Sequence, residues 1–263
     1  MNFVDSVDNS VEKCHAKRIF GRYVKYIYIL AYYICVLDSI GEVQKMLNML
    51  KGVKAVVFDL DGTLIDSMWI WEDIDREFLG KRGIELPDDI CEITEGMGFT
   101  ETTEYFKQRF NLKETVEEIK QEWLEMTKDY YKEKIPLKEG VLGFLEFLYS
   151  RGIRMAIASS CSRELIEIIL GKYDLQKYFS DVVVSCDVKQ GKPNPYIFLK
   201  AIENLRVSSH EALAFEDTRA GVLAAKRAGL RVCAVYDEAS KHNWPEIKQL
   251  AGYHIYSFKE LLP

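Results

Sequence analysis

The stretch Ala55-Val56-Val57-Phe58-Asp59-Leu60-Asp61-Gly62-Thr63-Leu64-Ile65-Asp66-Ser67 decides the fold of this 263-residue chain. Its first part is apolar and β-branched, which predicts a strand buried on both faces, as in a parallel sheet. The strand ends in two carboxylates, Asp59 and Asp61, one residue apart. A buried carboxylate is costly unless it meets a cation or several donors, and ligands of open α/β sheets bind at the carboxyl ends of strands. The stretch therefore predicts a metal ion and a reactive centre at this edge of the sheet.

The composition is that of an acidic, soluble globular protein, with 48% hydrophobic residues, 29% charged residues and a formal charge of -6. Because no basic surplus is present to neutralise phosphates, binding to nucleic acid is disfavoured. The six cysteines are scattered without metal-type spacing, which favours reduced thiols in a cytoplasmic protein over a disulfide framework. The four histidines are equally dispersed, so they indicate neither a zinc site nor a Ser/His/Asp triad.

Residues 1–50 are predicted to form an extension outside the core fold. Residues 19–37 are rich in Tyr, Ile, Leu and Val, but the uninterrupted apolar run covers only residues 26–37. That run is shorter than the roughly 20 residues a membrane-spanning helix needs. The alternative is membrane association through an interfacial helix at residues 19–37, and we favour it less than a cytoplasmic protein whose compact part begins near Met46 or Met49.

After Ser67 the pattern changes from strand to helix. Residues 68–136 carry apolar residues at helical spacing without alternating strands. Thr100 is a predicted helix N-cap, and Thr115 with Glu118 forms a capping-box pattern. We therefore predict an all-helical cap domain at residues 68–136, inserted into an α/β core formed by residues 51–67 and 137–263.

From residue 139 onward, predicted strands and helices alternate, which is typical of a parallel sheet with right-handed crossovers. Each polar residue near a strand end has a simple structural explanation, as a helix cap or a solvated loop residue. Together they are more informative, because the carboxyl edge of one sheet brings them to the two aspartates. These residues are Ser159, Lys192, Glu216 and Asp217.

Four segments resemble, in order, the motifs of the haloacid dehalogenase (HAD) superfamily. They are the segment from Asp59 to Ser67, Ala158-Ser159-Ser160, Gly191-Lys192-Pro193 and Phe215-Glu216-Asp217-Thr218-Arg219-Ala220-Gly221. The resemblance covers the chain from Val53 to its C-terminus, and the helical insert resembles the C1-type cap of the β-phosphoglucomutase-like branch. It implies a Rossmann-like parallel α/β core (the HAD fold) with an inserted all-helical cap domain.

The resemblance also implies roles for the two aspartates. Asp59 would attack phosphorus and become an aspartyl phosphate, and Asp61 would protonate the leaving alkoxide and then activate water. The implied cofactor is Mg²⁺, which prefers hard oxygen ligands. Its protein ligands would be the Asp59 carboxylate, the Asp61 backbone carbonyl and the Asp217 carboxylate. Glu216 would either bind the metal directly or orient its ligands.

The phosphoryl oxygens would be held by Lys192, by the Ser159 hydroxyl and by the backbone N–H of Ser160, which offset developing charge. Asp61 argues against a dehalogenase, which usually lacks this second aspartate. Where related mutases carry a cap histidine and a cap arginine, this chain has Trp71 and Phe99. We therefore predict a Mg²⁺-dependent phosphomonoester phosphatase for a small phosphorylated metabolite. The alternatives are a β-phosphoglucomutase-like sugar phosphomutase and a non-catalytic binding protein on the same fold.

A closing cap sets substrate choice and excludes water. The candidates for the cap side of the cleft are Trp69, Trp71, Met97 and Phe99. The competing interpretation, which we favour for any one of them, is that they pack the small core of the cap.

Overall fold

The computed structural model describes residue 44 and residues 46–94 and 97–262. The chain divides into two units, residues 1–48 and 49–263, and the second holds the sheet described below. The predictions for residues 19–37 lie outside the described residues. Within the described part of the chain, every helix is too short or too polar to cross a membrane.

Six parallel strands form one sheet in the order β3-β2-β1-β4-β5-β6. Strand β1 lies between β2 and β4, where Phe58 is in register with Ile157 on one side and Phe215 on the other. The strand order reverses beside β1, which is where open α/β sheets bind ligands. The bounds are β1 Ala55–Phe58, β2 Arg154–Ser159, β3 Asp181–Val184, β4 Ala212–Glu216, β5 Arg231–Val235 and β6 Gly252–Ile255.

The helices α1 to α4 lie before residue 135, and α5 to α9 alternate with the later strands. The bounds are α1 Met68–Gly80, α2 Ile90–Thr94, α3 Phe99–Arg109, α4 Val116–Asp129, α5 Val141–Ser150, α6 Arg163–Lys172, α7 Tyr196–Asn204, α8 Arg219–Arg227 and α9 Trp244–Ala251. A π-helical turn, Tyr130–Lys134, follows α4. The predicted parallel α/β architecture is confirmed.

The helical segment at residues 68–134 has an aromatic cluster of its own. The ring centroid of Phe106 lies 4.8 Å from that of Trp123, and Phe78 lies 5.3 Å from the same tryptophan. The two chain links to the sheet run side by side, since the Asp66 N–H donates to the Pro136 carbonyl at 3.0 Å. The division into a cap at residues 68–136 and a core stays a prediction.

The start of α3 corrects one prediction, because Gly98 and not Thr100 is its N-cap. The Gly98 N–H donates to the Glu101 carboxylate at 3.3 Å. A Cβ at position 98 would lie 2.6 Å from the Cβ of Ser185, so this close approach requires glycine. At α4 the predicted capping box is confirmed: Thr115 Oγ1 accepts from the backbone N–H at 118 at 3.2 Å.

Candidate active site

The ends of β1 and β4, with the loop before α7, bring four charged side chains together in the interior. They are Asp59, Lys192, Glu216 and Asp217, all of them buried. Parallel pairing places them on one edge, since the Asp59 N–H donates to the Phe215 carbonyl at 3.0 Å. The sequence predicted this meeting, and the structure confirms that these four lie together.

Lys192 bridges two of the carboxylates. Its Nζ lies 2.6 Å from Asp59 Oδ1 and 2.5 Å from Glu216 Oε1. Burial alone would lower the pKa of Lys192, but the two carboxylates outweigh burial and raise the pKa. Burial raises the pKa of Asp59 to about 8, and the charge of Glu216 adds to this while Lys192 opposes it. The lysine thus favours the ionised form of Asp59.

Glu216 uses both of its carboxylate oxygens within the protein. Oε1 bonds Lys192, while Oε2 accepts from the backbone N–H of Asp217 at 3.1 Å, from the N–H of Thr218 at 3.3 Å and from its hydroxyl at 3.2 Å. A Cβ at Gly221 would lie 1.9 Å from the Glu216 carboxyl carbon. The first turn of α8 therefore leaves room for this side chain only because position 221 is glycine.

Asp217 differs from Glu216 because only one of its two carboxylate oxygens has a hydrogen-bond partner. Its Oδ1 accepts from the Thr63 hydroxyl at 2.9 Å, whereas Oδ2 is buried without a hydrogen-bond partner. Burial raises the pKa of Asp217 well above its ordinary value, and the charges of Asp59 and Glu216 raise the pKa further. The N-cap of α8 is Thr218, whose Oγ1 accepts from the Gly221 N–H at 3.0 Å, so the alternative interpretation of Asp217 as a helix cap is wrong.

Three carboxylates of this cluster fit a divalent cation. Ligand oxygens of Asp59, Glu216 and Asp217 lie within 4.8 Å of one another, and hard oxygen donors suit such an ion. A Cβ at Gly62, where φ is +76°, would lie 2.2 Å from Asp217 Oδ2, so glycine keeps this side of the cluster open. The partnerless Oδ2 of Asp217 is the atom that most needs a cation, because an unpaired buried acceptor is costly.

Asp61 lies apart from the lysine bridge and is held by hydroxyl groups. Its Oδ1 accepts from Ser67 Oγ at 2.6 Å and also from the Tyr131 hydroxyl. Burial raises the pKa of Asp61, while the bonds from Ser67 and Tyr131 act in the opposite direction. A raised pKa suits a carboxyl group that has to carry a proton near neutral pH.

Ser159 and Ser160 lie where β2 ends, beside β1. The Ser159 hydroxyl is buried and accepts from the Cys161 N–H at 3.1 Å. The carbonyl of Ser160 accepts from the Phe99 N–H at 3.2 Å, which ties this strand end to α3. Both serines therefore lie at the predicted edge, and their role in phosphate binding stays a prediction.

The four aromatic and sulfur-containing candidates of the helical segment mostly contact their neighbours. Trp69 is 46% exposed, and its Nε1 donates to the Asp66 carbonyl at 3.0 Å. The rings of Trp71 and Tyr131 lie 6.3 Å apart, and those of Phe99 and Trp123 lie 6.0 Å apart. Met97 is partly buried. These contacts agree with packing, and a role in substrate choice stays a prediction.

Two site residues were missed by the sequence analysis. Thr63 was not among the predicted site residues, yet its hydroxyl donates to Asp217. Tyr131 is separated from Asp61 by seventy positions, and no local motif marks it. The only indication in the sequence was its position, a few residues before the end of the predicted cap at residue 136.

The chain is similar in sequence to several known proteins. A family model described as haloacid dehalogenase-like hydrolase matches residues 56–235. The chain belongs to this family. A phosphorylated carbohydrates phosphatase of Thermotoga maritima is 34% identical over 179 residues, which cover 68% of this chain and 82% of that protein. A phosphoglycolate phosphatase of Aquifex aeolicus is 33% identical over 184 residues, covering 68% and 83%.

Solved HAD structures share the architecture. The crystal structure of a β-phosphoglucomutase from Clostridium difficile superposes with a TM-score of 0.68 at 21% identity, over 80% of this chain and 93% of that one. At this identity the likeness shows the fold alone. Membership of the HAD-like hydrolases is confirmed. The crystal structure of a putative β-phosphoglucomutase from Thermotoga maritima, 29% identical with a TM-score of 0.60 over 80% of this chain and 97% of that one, is consistent with the expected branch.

Proposed function

We propose that this HAD-like hydrolase is a Mg²⁺-dependent phosphatase that hydrolyses a small phosphomonoester through an aspartyl-phosphate intermediate. The observation that carries the proposal is that three carboxylates of the site have different partners. Asp59 is paired with Lys192, Asp217 keeps one oxygen without a partner, and Asp61 is held separately by hydroxyl groups. The names of the phosphatase relatives support the same reaction class.

In the first half-reaction, an Asp59 oxygen forms a bond to phosphorus while the bond from phosphorus to the substrate oxygen breaks. Asp61 donates its proton to the departing alkoxide, which leaves as an alcohol. Lys192 favours the ionised form of Asp59 and, with Ser159 and the Ser160 N–H, would offset the charge that develops on the phosphoryl oxygens.

In the second half-reaction, Asp61 takes a proton from a water molecule, and that water attacks phosphorus. The bond between phosphorus and the Asp59 oxygen breaks, which regenerates the free carboxylate and releases inorganic phosphate. The sum is a phosphomonoester and water going to an alcohol and phosphate, with Asp61 returned to its protonated form.

Mg²⁺ would be held by the carboxylates of Asp59 and Asp217 and by the backbone carbonyl of Asp61, and it would neutralise the phosphoryl oxygens. We assign Glu216 to orientation, because its two oxygens already bond Lys192 and the donors of residues 217 and 218. Of the two roles that the sequence left open for Glu216, we therefore propose the indirect one.

The helices at residues 68–134 are proposed as the cap that covers this edge and selects the alcohol part of the substrate. We also propose a cytoplasmic location, in line with the scattered cysteines, of which Cys161 and Cys186 form no disulfide within the described part of the chain.

The test is release of phosphate from p-nitrophenyl phosphate and from a panel of sugar phosphates, nucleotides and small organic phosphates. Mg²⁺ should support turnover and a chelator should abolish it. Asp59→Asn should lower kcat by several orders of magnitude while thermal unfolding shows a folded protein. Phosphate transfer between sugar positions without net release would favour the mutase, and no turnover on any substrate would overturn the proposal.

A further inference from the structure

Tyr131 belongs to the helical segment, yet it contacts a catalytic group of the sheet domain. It lies in the π-helical turn Tyr130–Lys134 and is fully buried. Its hydroxyl donates to Asp61 Oδ1, the same oxygen that accepts from Ser67 Oγ. The sulfur of Cys161 lies 3.6 Å from this hydroxyl. Two hydroxyl donors therefore converge on one oxygen of the general acid.

The turn that carries Tyr131 is anchored to α6. Lys172 Nζ donates to the Ile135 carbonyl at 2.8 Å and to the Tyr131 carbonyl at 3.4 Å. The Tyr173 hydroxyl also donates to the Ile135 carbonyl, at 2.7 Å. Single π-helical turns are frequent at functional sites. These bonds hold the Tyr131 hydroxyl where it can reach Asp61.

The shared use of Oδ1 has a chemical consequence. A carboxyl group that first gives and then takes a proton needs one oxygen held still, so that the other can face the reacting oxygen. With both hydroxyls on Oδ1, the second oxygen of Asp61 can face the substrate.

We propose that Tyr131 is a positioning residue for Asp61, so that the helical segment completes the acid–base machinery of the sheet domain. The proposal rests on the proposed phosphatase mechanism, in which Asp61 protonates the leaving group. The proposal predicts that Tyr131 matters most for substrates with strongly basic leaving groups, since only these need a proton as the bond to phosphorus breaks.

Paired substrates separate this role from a structural one. An alkyl phosphomonoester loses a strongly basic alkoxide, whereas p-nitrophenyl phosphate loses a weakly basic phenolate that needs little protonation. For Tyr131→Phe we expect kcat/KM to fall at least roughly tenfold more on the alkyl ester than on p-nitrophenyl phosphate. General acid–base catalysis as a whole contributes about 100- to 10,000-fold to a rate. Ser67→Ala, which removes the other donor to Oδ1, should show the same selectivity.

Tyr178→Phe is the matched control, because it removes the hydroxyl of another buried tyrosine, one that donates to Glu146 and contacts neither Asp61 nor the π-helical turn. It should change the two substrates by the same factor. Thermal unfolding of each variant reports folding. An equal fall on both substrates for Tyr131→Phe, or no fall, would overturn the positioning role while leaving the phosphatase intact. A wild-type protein without activity on either substrate would overturn the phosphatase mechanism and the role of Tyr131 with it.

Discussion

Replacing Asp217 by Asn should stabilise the metal-free protein, whereas replacing its neighbour Glu216 by Gln should destabilise it. Asn keeps an oxygen for the Thr63 hydroxyl, and it replaces the partnerless Oδ2 by an N–H donor beside the carboxylates of Asp59 and Glu216, since ligand oxygens of the three residues lie within 4.8 Å of one another. Removing an unsatisfied buried acceptor is worth about 1–2 kcal/mol. For a domain of this size, that corresponds to a rise of roughly 2–8 °C in Tm.

The opposite sign for Glu216→Gln follows from its partners. Lys192 donates to Oε1, and the N–H groups of Asp217 and Thr218 donate to Oε2. Either orientation of the new amide places its NH₂ group against a donor. Lys192 also loses one of the two carboxylates with which it pairs. Breaking one side of a buried pair costs about 3 kcal/mol, a fall of roughly 6–12 °C in Tm.

The assay is chemical and thermal unfolding of both variants and the wild type, first in a chelator and then in Mg²⁺. At a Mg²⁺ concentration of about 100 times Kd, the wild type should gain about 2.7 kcal/mol. Asp217→Asn should lose this gain, and Glu216→Gln should keep part of it. Asp75→Asn, which neutralises a carboxylate outside the cluster, should keep all of it. A destabilised Asp217→Asn protein that still responds to Mg²⁺ would refute the assignment of Asp217 as a direct ligand.

Two further predictions concern packing and pH. Gly221→Ala should lower the free energy of unfolding by about 1–3 kcal/mol because its Cβ would meet the Glu216 carboxylate at 1.9 Å. Gly171→Ala in α6, whose Cβ would have 3.7 Å of clearance, should instead be neutral or stabilising in the same denaturation experiment. Burial raises the pKa of Asp75 to about 7, so the folded state holds a proton that the unfolded state loses above about pH 4. The stability contributed by this group therefore falls as the pH rises from about 4 to 7, and Asp75→Asn should recover about 2 kcal/mol at pH 8, less than the full linkage because the side chain is partly exposed. A variant that gains as much stability at pH 4 as at pH 8 would contradict this cause.

The location of the site was predictable from the sequence because it depends on local patterns. Alternating strands and helices predict a parallel sheet, and residues that follow such strands must meet at one edge. This rule is sufficient to predict that Asp59, Lys192, Glu216 and Asp217 meet. The capping box at Thr115 was also predictable, because it depends only on residues within the first turn of the helix.

The predictions that failed depend on contacts between distant segments. The start of α3 at Gly98 follows from its close approach to Ser185, eighty-seven positions along the chain. Thr100 has the better local cap chemistry, but the backbone lies against the sheet domain two residues earlier. Local propensity is a weak prior where tertiary packing decides.

The amino-acid sequence by itself therefore determined the fold, the family and which carboxylates meet, because helical and strand periodicity and short motifs encode these over a few residues each. Only the tertiary structure decided how each carboxylate is used. It occupies both oxygens of Glu216, leaves one oxygen of Asp217 without a partner, and brings Tyr131 to Asp61. These outcomes depend on which donors reach a given atom, and hydrogen-bond geometry of that kind is set by the packing of segments far apart in the chain.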